Sequence, residues 1–158
     1  MTAPLTETAL RDLIDRYTAE GKPIPNFSKN TIEALYSFGY CFYQNAKYEQ
    51  SAHFFRFLTL IDSDTPKNWM GLGAALQMMK SYHQAIQCFG YAAVLNPNDP
   101  SAPFHAAECF LSIGEDDNAS EVFNAAEQVA NKNPDKYKTM LTRIALMRPG
   151  RKTHGKQS

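Results

Sequence analysis

Small and large apolar residues recur along this chain at a fixed interval of 34, over residues 32–65, 66–99 and 100–133, without a gap. The eighth place of each unit is small (Gly39, Gly73, Ala107) and the eleventh is large (Phe42, Leu76, Phe110). The twentieth is small again (Ser51, Ala85, Ala119), the twenty-fourth is always phenylalanine (Phe55, Phe89, Phe123), and the twenty-seventh holds Leu58, Ala92 and Ala126. Within a unit the apolar residues fall at helical spacing in two runs. In the second unit these are Trp69, Leu72, Gly73 and Leu76, then Ala85, Phe89 and Ala92. Each unit therefore reads as a pair of helices whose backbones approach at the small residues while the phenylalanine fills the seam. Strand signals are missing and the class is all-α.

Prolines punctuate the same period. Pro66, Pro100 and Pro134 each follow a residue able to cap a helix, namely Thr65, Asp99 and Asn133. This predicts helices with proline at their first position, where its missing N–H costs nothing. The first unit instead opens with Asn30 and Glu33 at capping-box spacing. Outside the units, residues 5–20 form an amphipathic helix (Leu5, Leu10, Leu13, Ile14, Tyr17) ended by Gly21, and GKPIPNFS reads as an extended linker. Residues 134–147 place Tyr137, Leu141 and Ile144 in the register of a fourth first-helix, a cap on the stack. The expected division is 1–31, an N-terminal helical segment and linker; 32–133, the three units; 134–147, the capping helix; and 148–158, a tail.

The period and the residues Trp69, Leu72, Gly73, Ala85, Phe89 and Pro97 resemble the tetratricopeptide repeat, with Leu35 and Pro103 in place of tryptophan in the outer units. The resemblance implies a helix-turn-helix solenoid whose first helices line a concave face through places 2, 5, 9 and 12. Those are Glu33, Tyr36, Tyr40 and Tyr43; Lys67, Met70, Ala74 and Gln77; and Ser101, Phe104, Glu108 and Leu111, with His105 beside them. Tyr36, Tyr40 and Tyr43 share one helical face while Leu35, Phe38 and Phe42 take the core side. Tyrosine suits a peptide groove, its ring packing on apolar residues and its hydroxyl bonding a backbone carbonyl. The competing assignment is that the three rings pack on the N-terminal helix or linker.

Charge adds little. Sixteen Lys and Arg balance sixteen Asp and Glu, which argues against a nucleic-acid partner. Four of those cations (Arg148, Arg151, Lys152, Lys156) stand in the last eleven residues and leave the remainder net acidic. No apolar run is long enough for a membrane span, and the acids in MTAPLTETALRDLIDRY are unlike a signal peptide. Three cysteines at no ligand spacing point to neither a disulfide framework nor a metal site.

The stretches YEQSAHFFRFL, FGYAA and PFHAAEC carry a closer resemblance. They are similar to the class II chaperones of bacterial type III secretion, over nearly the whole chain. That resemblance implies a protein of the bacterial cytoplasm that keeps the two hydrophobic translocators (major and minor) soluble until export. It implies an extended client segment of the proline–leucine–proline type in the concave groove, with no cofactor and no membrane insertion. Carried over residue by residue, the groove would be Tyr36, Tyr40, Tyr43, Met70, Ala74, Gln77, Phe104, His105 and Glu108. The family also implies a homodimer through the N-terminal helix, although the 5–20 stripe suits packing on its own domain equally well.

Three rival functions compete with this one. An enzyme needs a nucleophile–base pair or ligand cluster, and the four histidines stand apart. A clamp for a terminal carboxylate needs several concave cations, and only Lys67 is offered. A generic assembly scaffold would use the same concave surface, and co-expression with an insoluble client separates it from a chaperone.

Overall fold

The computed structural model describes residues 6–21 and 23–150, and among these all regular structure is helical. The helices are α1 (Glu7–Ala19), α2 (Lys29–Gln44), α3 (Tyr48–Ile61), α4 (Pro66–Met78), α5 (Tyr82–Leu95), α6 (Ser101–Ser112), α7 (Asp116–Ala130) and α8 (Lys138–Met147). Helices α2 to α7 form three antiparallel pairs, each packed on the next. Leu5 of the expected N-terminal helix and residues 151–158 of the expected tail lie outside the described residues.

The period is visible in the packing. The residues at places 8, 20, 24 and 27 are buried in all three units. Where Ser51 replaces the alanine of place 20, its hydroxyl donates to the Gly39 carbonyl at 2.8 Å, so the buried oxygen is satisfied. Phenylalanine of place 24 lies against the small residue of place 8. A Cβ added to Gly39 would stand 3.1 Å from the Phe55 ring, and one added to Gly73 would stand 2.7 Å from Phe89.

The turn inside each pair is also repeated. Place 15 has positive φ every time, at Ala46 (58°), Lys80 (61°) and Gly114 (78°). The following N–H groups of Lys47, Ser81 and Glu115 donate to Phe42, Leu76 and Phe110 five residues back. This closure satisfies the last helical carbonyls, and only the third unit uses the glycine that avoids a Cβ penalty there.

Helix starts depart from the proline pattern. Helix α2 is capped by Ser28, which accepts from the Thr31 N–H at 3.2 Å, while Glu33 pairs with Lys29 at 3.9 Å instead of completing a capping box at Asn30. Pro66 does open α4, but Thr65 donates its hydroxyl to Asp62 and makes no cap bond. Helix α6 begins one residue after Pro100, with Asp99 accepting from the Ser101 N–H at 2.9 Å. Residues 131–137 are turns and α8 starts at Lys138, so Asn133 and Pro134 open no helix. Pro66 and Pro100 end the preceding connection whether or not they enter the next helix, whereas Pro134 lies within the turn that joins α7 to α8.

Two cores result. The larger joins α1 to α6 through Leu10, Ile14, Leu35, Phe54, Phe55, Phe57, Leu58, Phe89 and others; the smaller joins Phe104, Ala107, Ala119, Phe123, Ala126 and Ile144 under α8. Leu10 and Ile14 are 1% exposed, so the α1 stripe is turned onto its own domain. Linker residue Phe27 bridges the two, edge-on to Tyr17 and to Phe57 at 5.7 Å each. A dimer made through α1 would use the outer side of that helix.

The thiols offer a direct check on this packing. Burial pushes Cys88 up to about 11, against a smaller opposing effect of Arg56, and pushes Cys109 up to about 12 with help from the Glu108 charge. Cys41 is exposed. Since the thiolate is the reactive form, a disulfide reagent at neutral pH should label one thiol quickly in the native protein and three after denaturation. Fast labelling of two or more native thiols would mean that α5 and α6 are not packed as described.

Candidate functional site

Helices α2, α4 and α6 are the first helices of the three pairs, and the surface they share divides into two parts of different chemistry. The first is a cleft of about 530 Å³ lined by Tyr36, Tyr40 and Tyr43 of α2, by Met70, Gly71 and Ala74 of α4, and by Phe55 at its floor. Its rim is made by Thr65, Pro66, Lys67, Asn96 and Asp99. This volume lies in the range of ligand pockets.

The tyrosines are arranged by depth. Tyr36 sets its edge against Phe55 at 5.5 Å and stacks near-parallel to Tyr40, 6.5 Å away. Tyr43 packs edge-on to Tyr48 at 5.5 Å. Burial raises both phenol pKa values, with a smaller contribution from Tyr40 for Tyr36, and from Tyr48 and Glu108 for Tyr43. Tyr40 is 50% exposed, and its hydroxyl accepts from the Gln44 amide at 2.8 Å. Neither the N-terminal helix nor the linker covers it, because Phe27 and the α1 stripe lie against Phe57 and α3 instead.

The floor exists because of Gly71. A Cβ at that position would come within 2.4 Å of the Phe55 ring. Gly71 occupies place 6 of the second unit, and the same place in the third unit is His105. That ring lies 5.5 Å from Phe89, tilted by 30°. At one seam the buried phenylalanine therefore reaches the cleft past a residue with no side chain, and at the next an imidazole lies against it.

The second part is polar. Glu108 is 13% exposed in its side chain; it accepts from His105 Nδ1 at 2.8 Å, from Gln77 Nε2 at 3.4 Å and from Arg143 of α8 at 2.5 Å. Burial would raise its pKa, but the His105 hydrogen bond and charge, the Arg143 charge and the Gln77 amide together hold it below the usual carboxylate range.

Five of the nine expected residues (Tyr36, Tyr40, Tyr43, Met70, Ala74) thus line the cleft, and three (Gln77, His105, Glu108) form the polar cluster. Phe104 is corrected. It is 1% exposed, packed on Phe123 at 6.0 Å and covered by the Arg143 guanidinium at 4.6 Å, so it supports the surface from beneath and presents nothing to a ligand. Phe55 and Gly71 were missed as groove residues, although their places in the period carried the signal. Arg143 was missed because nothing local in sequence ties it to Glu108, 35 residues away.

A model of the tetratricopeptide repeat matches residues 32–64 and 66–99. The low calcium response locus protein H of Yersinia pestis is 39% identical over 121 residues, which are 76% of this chain and 71% of that protein. The translocator chaperone SycD of Yersinia enterocolitica, solved with a peptide of the translocator YopD, is 37% identical with a TM-score of 0.73, over 76% of this chain and 91% of that one.

The chain belongs to the class II translocator chaperones of type III secretion.

Another of these chaperones, PcrH of Pseudomonas aeruginosa, has been solved with the chaperone binding region of PopD. It is 34% identical with a TM-score of 0.75, over 79% of this chain and 93% of that one. In this translocator chaperone the three-pair stack is therefore a fold shared with relatives that have been crystallised with a translocator peptide or a chaperone binding region.

Proposed function

We propose that this chaperone holds an extended, proline-containing segment of the hydrophobic translocator proteins in the cleft between α2 and α4, in the bacterial cytoplasm, and keeps them soluble for export. The observation that carries the reading is the cleft itself, an open apolar trough with Phe55 at its floor and an exposed tyrosine, Tyr40, at its edge. An extended proline-rich segment brings little conformational entropy to lose on binding, and its side chains enter pockets while its carbonyls meet hydroxyls. The translocators' apolar stretches would otherwise aggregate. Among the described residues no helix is long and apolar enough to cross a membrane. The reading assigns no catalysis to the chain: its family acts by binding.

Titration with short peptides tiled along a candidate translocator tests the reading. At least one proline-containing peptide should bind at micromolar concentration, and Tyr40→Ala should weaken it about tenfold, or about 1.4 kcal/mol. The variant should melt as the native protein does, because the half-exposed Tyr40 contributes only surface contacts. Binding indifferent to Tyr40, or none, would remove the cleft from client recognition and leave a generic scaffold, which would also fail to rescue a translocator on co-expression.

A further inference from the structure

Cations stand at both ends of the concave surface, one over a tyrosine of the groove and the other over the buried phenylalanine beneath it. Lys67 Nζ is 4.3 Å above the Tyr36 ring, and the Arg143 guanidinium is 4.6 Å above Phe104. The carboxylates nearby are already engaged. Glu108 accepts from three side chains, and Asp99 accepts from the Ser101 N–H. Arg143 has the opposite surplus. Of its five N–H groups, Glu108 takes one from Nη2, and half of the side chain's surface remains exposed. Ring and carboxylate together fix the guanidinium plane, so little side-chain entropy remains to be lost when a second acceptor arrives.

The polar cluster and the tyrosine row are one surface. Gln77 lies one helical turn beyond Ala74 of the cleft, and its amide reaches Glu108 across α4 and α6. A segment seated on Tyr36, Tyr40 and Met70 and running toward α6 meets the free edge of Arg143 next. We propose that Arg143 is a specificity-determining residue of the groove, taking a carboxylate of the bound segment through the guanidinium edge that Glu108 leaves open. The recognised segments then carry an acidic residue to one side of their apolar anchors. The inference rests on the groove reading and adds to it a contribution from the closing helix.

The test uses the full chain and a synthetic proline–leucine–proline peptide with neutral flanks, together with versions in which a single Glu, or its amide Gln, is stepped through both flanks. At one position, or two adjacent ones, Glu should bind about fivefold or more tighter than Gln, a modest factor because the site is half open to solvent. Arg143→Gln should abolish that preference and still bind the neutral peptide as the native chain does. Arg148→Gln, which breaks an ion pair just past the end of α8 (to Glu127, 2.6 Å) and away from the cluster, should retain it. The inference is overturned if no Glu position gains over Gln, if the gain survives Arg143→Gln, if that variant also loses the neutral peptide, or if Arg148→Gln abolishes the gain equally. Failure of the neutral peptide to bind the native chain sinks the groove reading and this inference together; neutral binding without any Glu effect sinks the inference alone.

Discussion

Phe55→Ala should lower the unfolding free energy by about 3–5 kcal/mol, the usual cost of truncating a buried phenylalanine. The upper part of that range is expected. The ring is 2% exposed and lies between Gly39 of its own unit and Gly71 of the next, two residues with no side chain to move into the space. The cavity would therefore remain. With roughly 2–4 °C per kcal/mol for a chain of this size, the melting temperature should fall by about 10 °C or more. Client binding should fall as well, since the ring edge that supports Tyr36 is gone. Denaturant unfolding measures the effect; a loss below about 1 kcal/mol would mean that the first seam is not closed by this ring.

Gly71→Ala sets two effects against each other. Alanine in a helix interior is favoured over glycine by about 1 kcal/mol. The new Cβ, however, would meet three carbons of the Phe55 ring at 2.4–2.6 Å, well inside contact distance, and the ring is bounded by Gly39 on its other side. Overpacking of this kind costs about 1–3 kcal/mol. The clash should win by up to about 2 kcal/mol, and the displaced ring should fill part of the cleft and weaken peptide binding about tenfold. The control is Gly90→Ala on α5, where nothing lies within 4 Å of the added atom and the helical preference alone acts. A stabilised Gly71→Ala with unchanged binding would refute the account of the floor.

The seam was legible because it is a matter of one-dimensional spacing. A fixed period of 34 places Ser51, Phe55 and Leu58 in the same environment as Ala85, Phe89 and Ala92, and burial follows. The tyrosines were legible for a related reason, since a second apolar stripe on a helix already supplied with a core face must find another use. What depends on where two distant segments meet was not. Tyr36, Met70 and Phe104 hold the same place in successive units, yet the first two are half-open and the third is sealed, because only there does α8 bring Ile144 and Arg143 down. The start of α8 at Lys138 is a tertiary fact of this sort. A short helix with one fully buried residue takes its position from the surface that receives it.

The contrast between Gly71 and His105 has a further consequence. On α4 and α6 the same position lies over the phenylalanine of the preceding seam and acts as a shutter, leaving the ring at the floor of a cleft where it is glycine and covering it where it is histidine. The shutter is independent of the residues that hold the stack together at places 8, 20 and 24. An apolar pocket can therefore be moved along such a solenoid, or a second one opened, by exchanging one small residue for a large one while the scaffold stays as it is. Within a family built on this stack, clients of different length and anchor spacing need not require different folds, only a different sequence of open and closed seams.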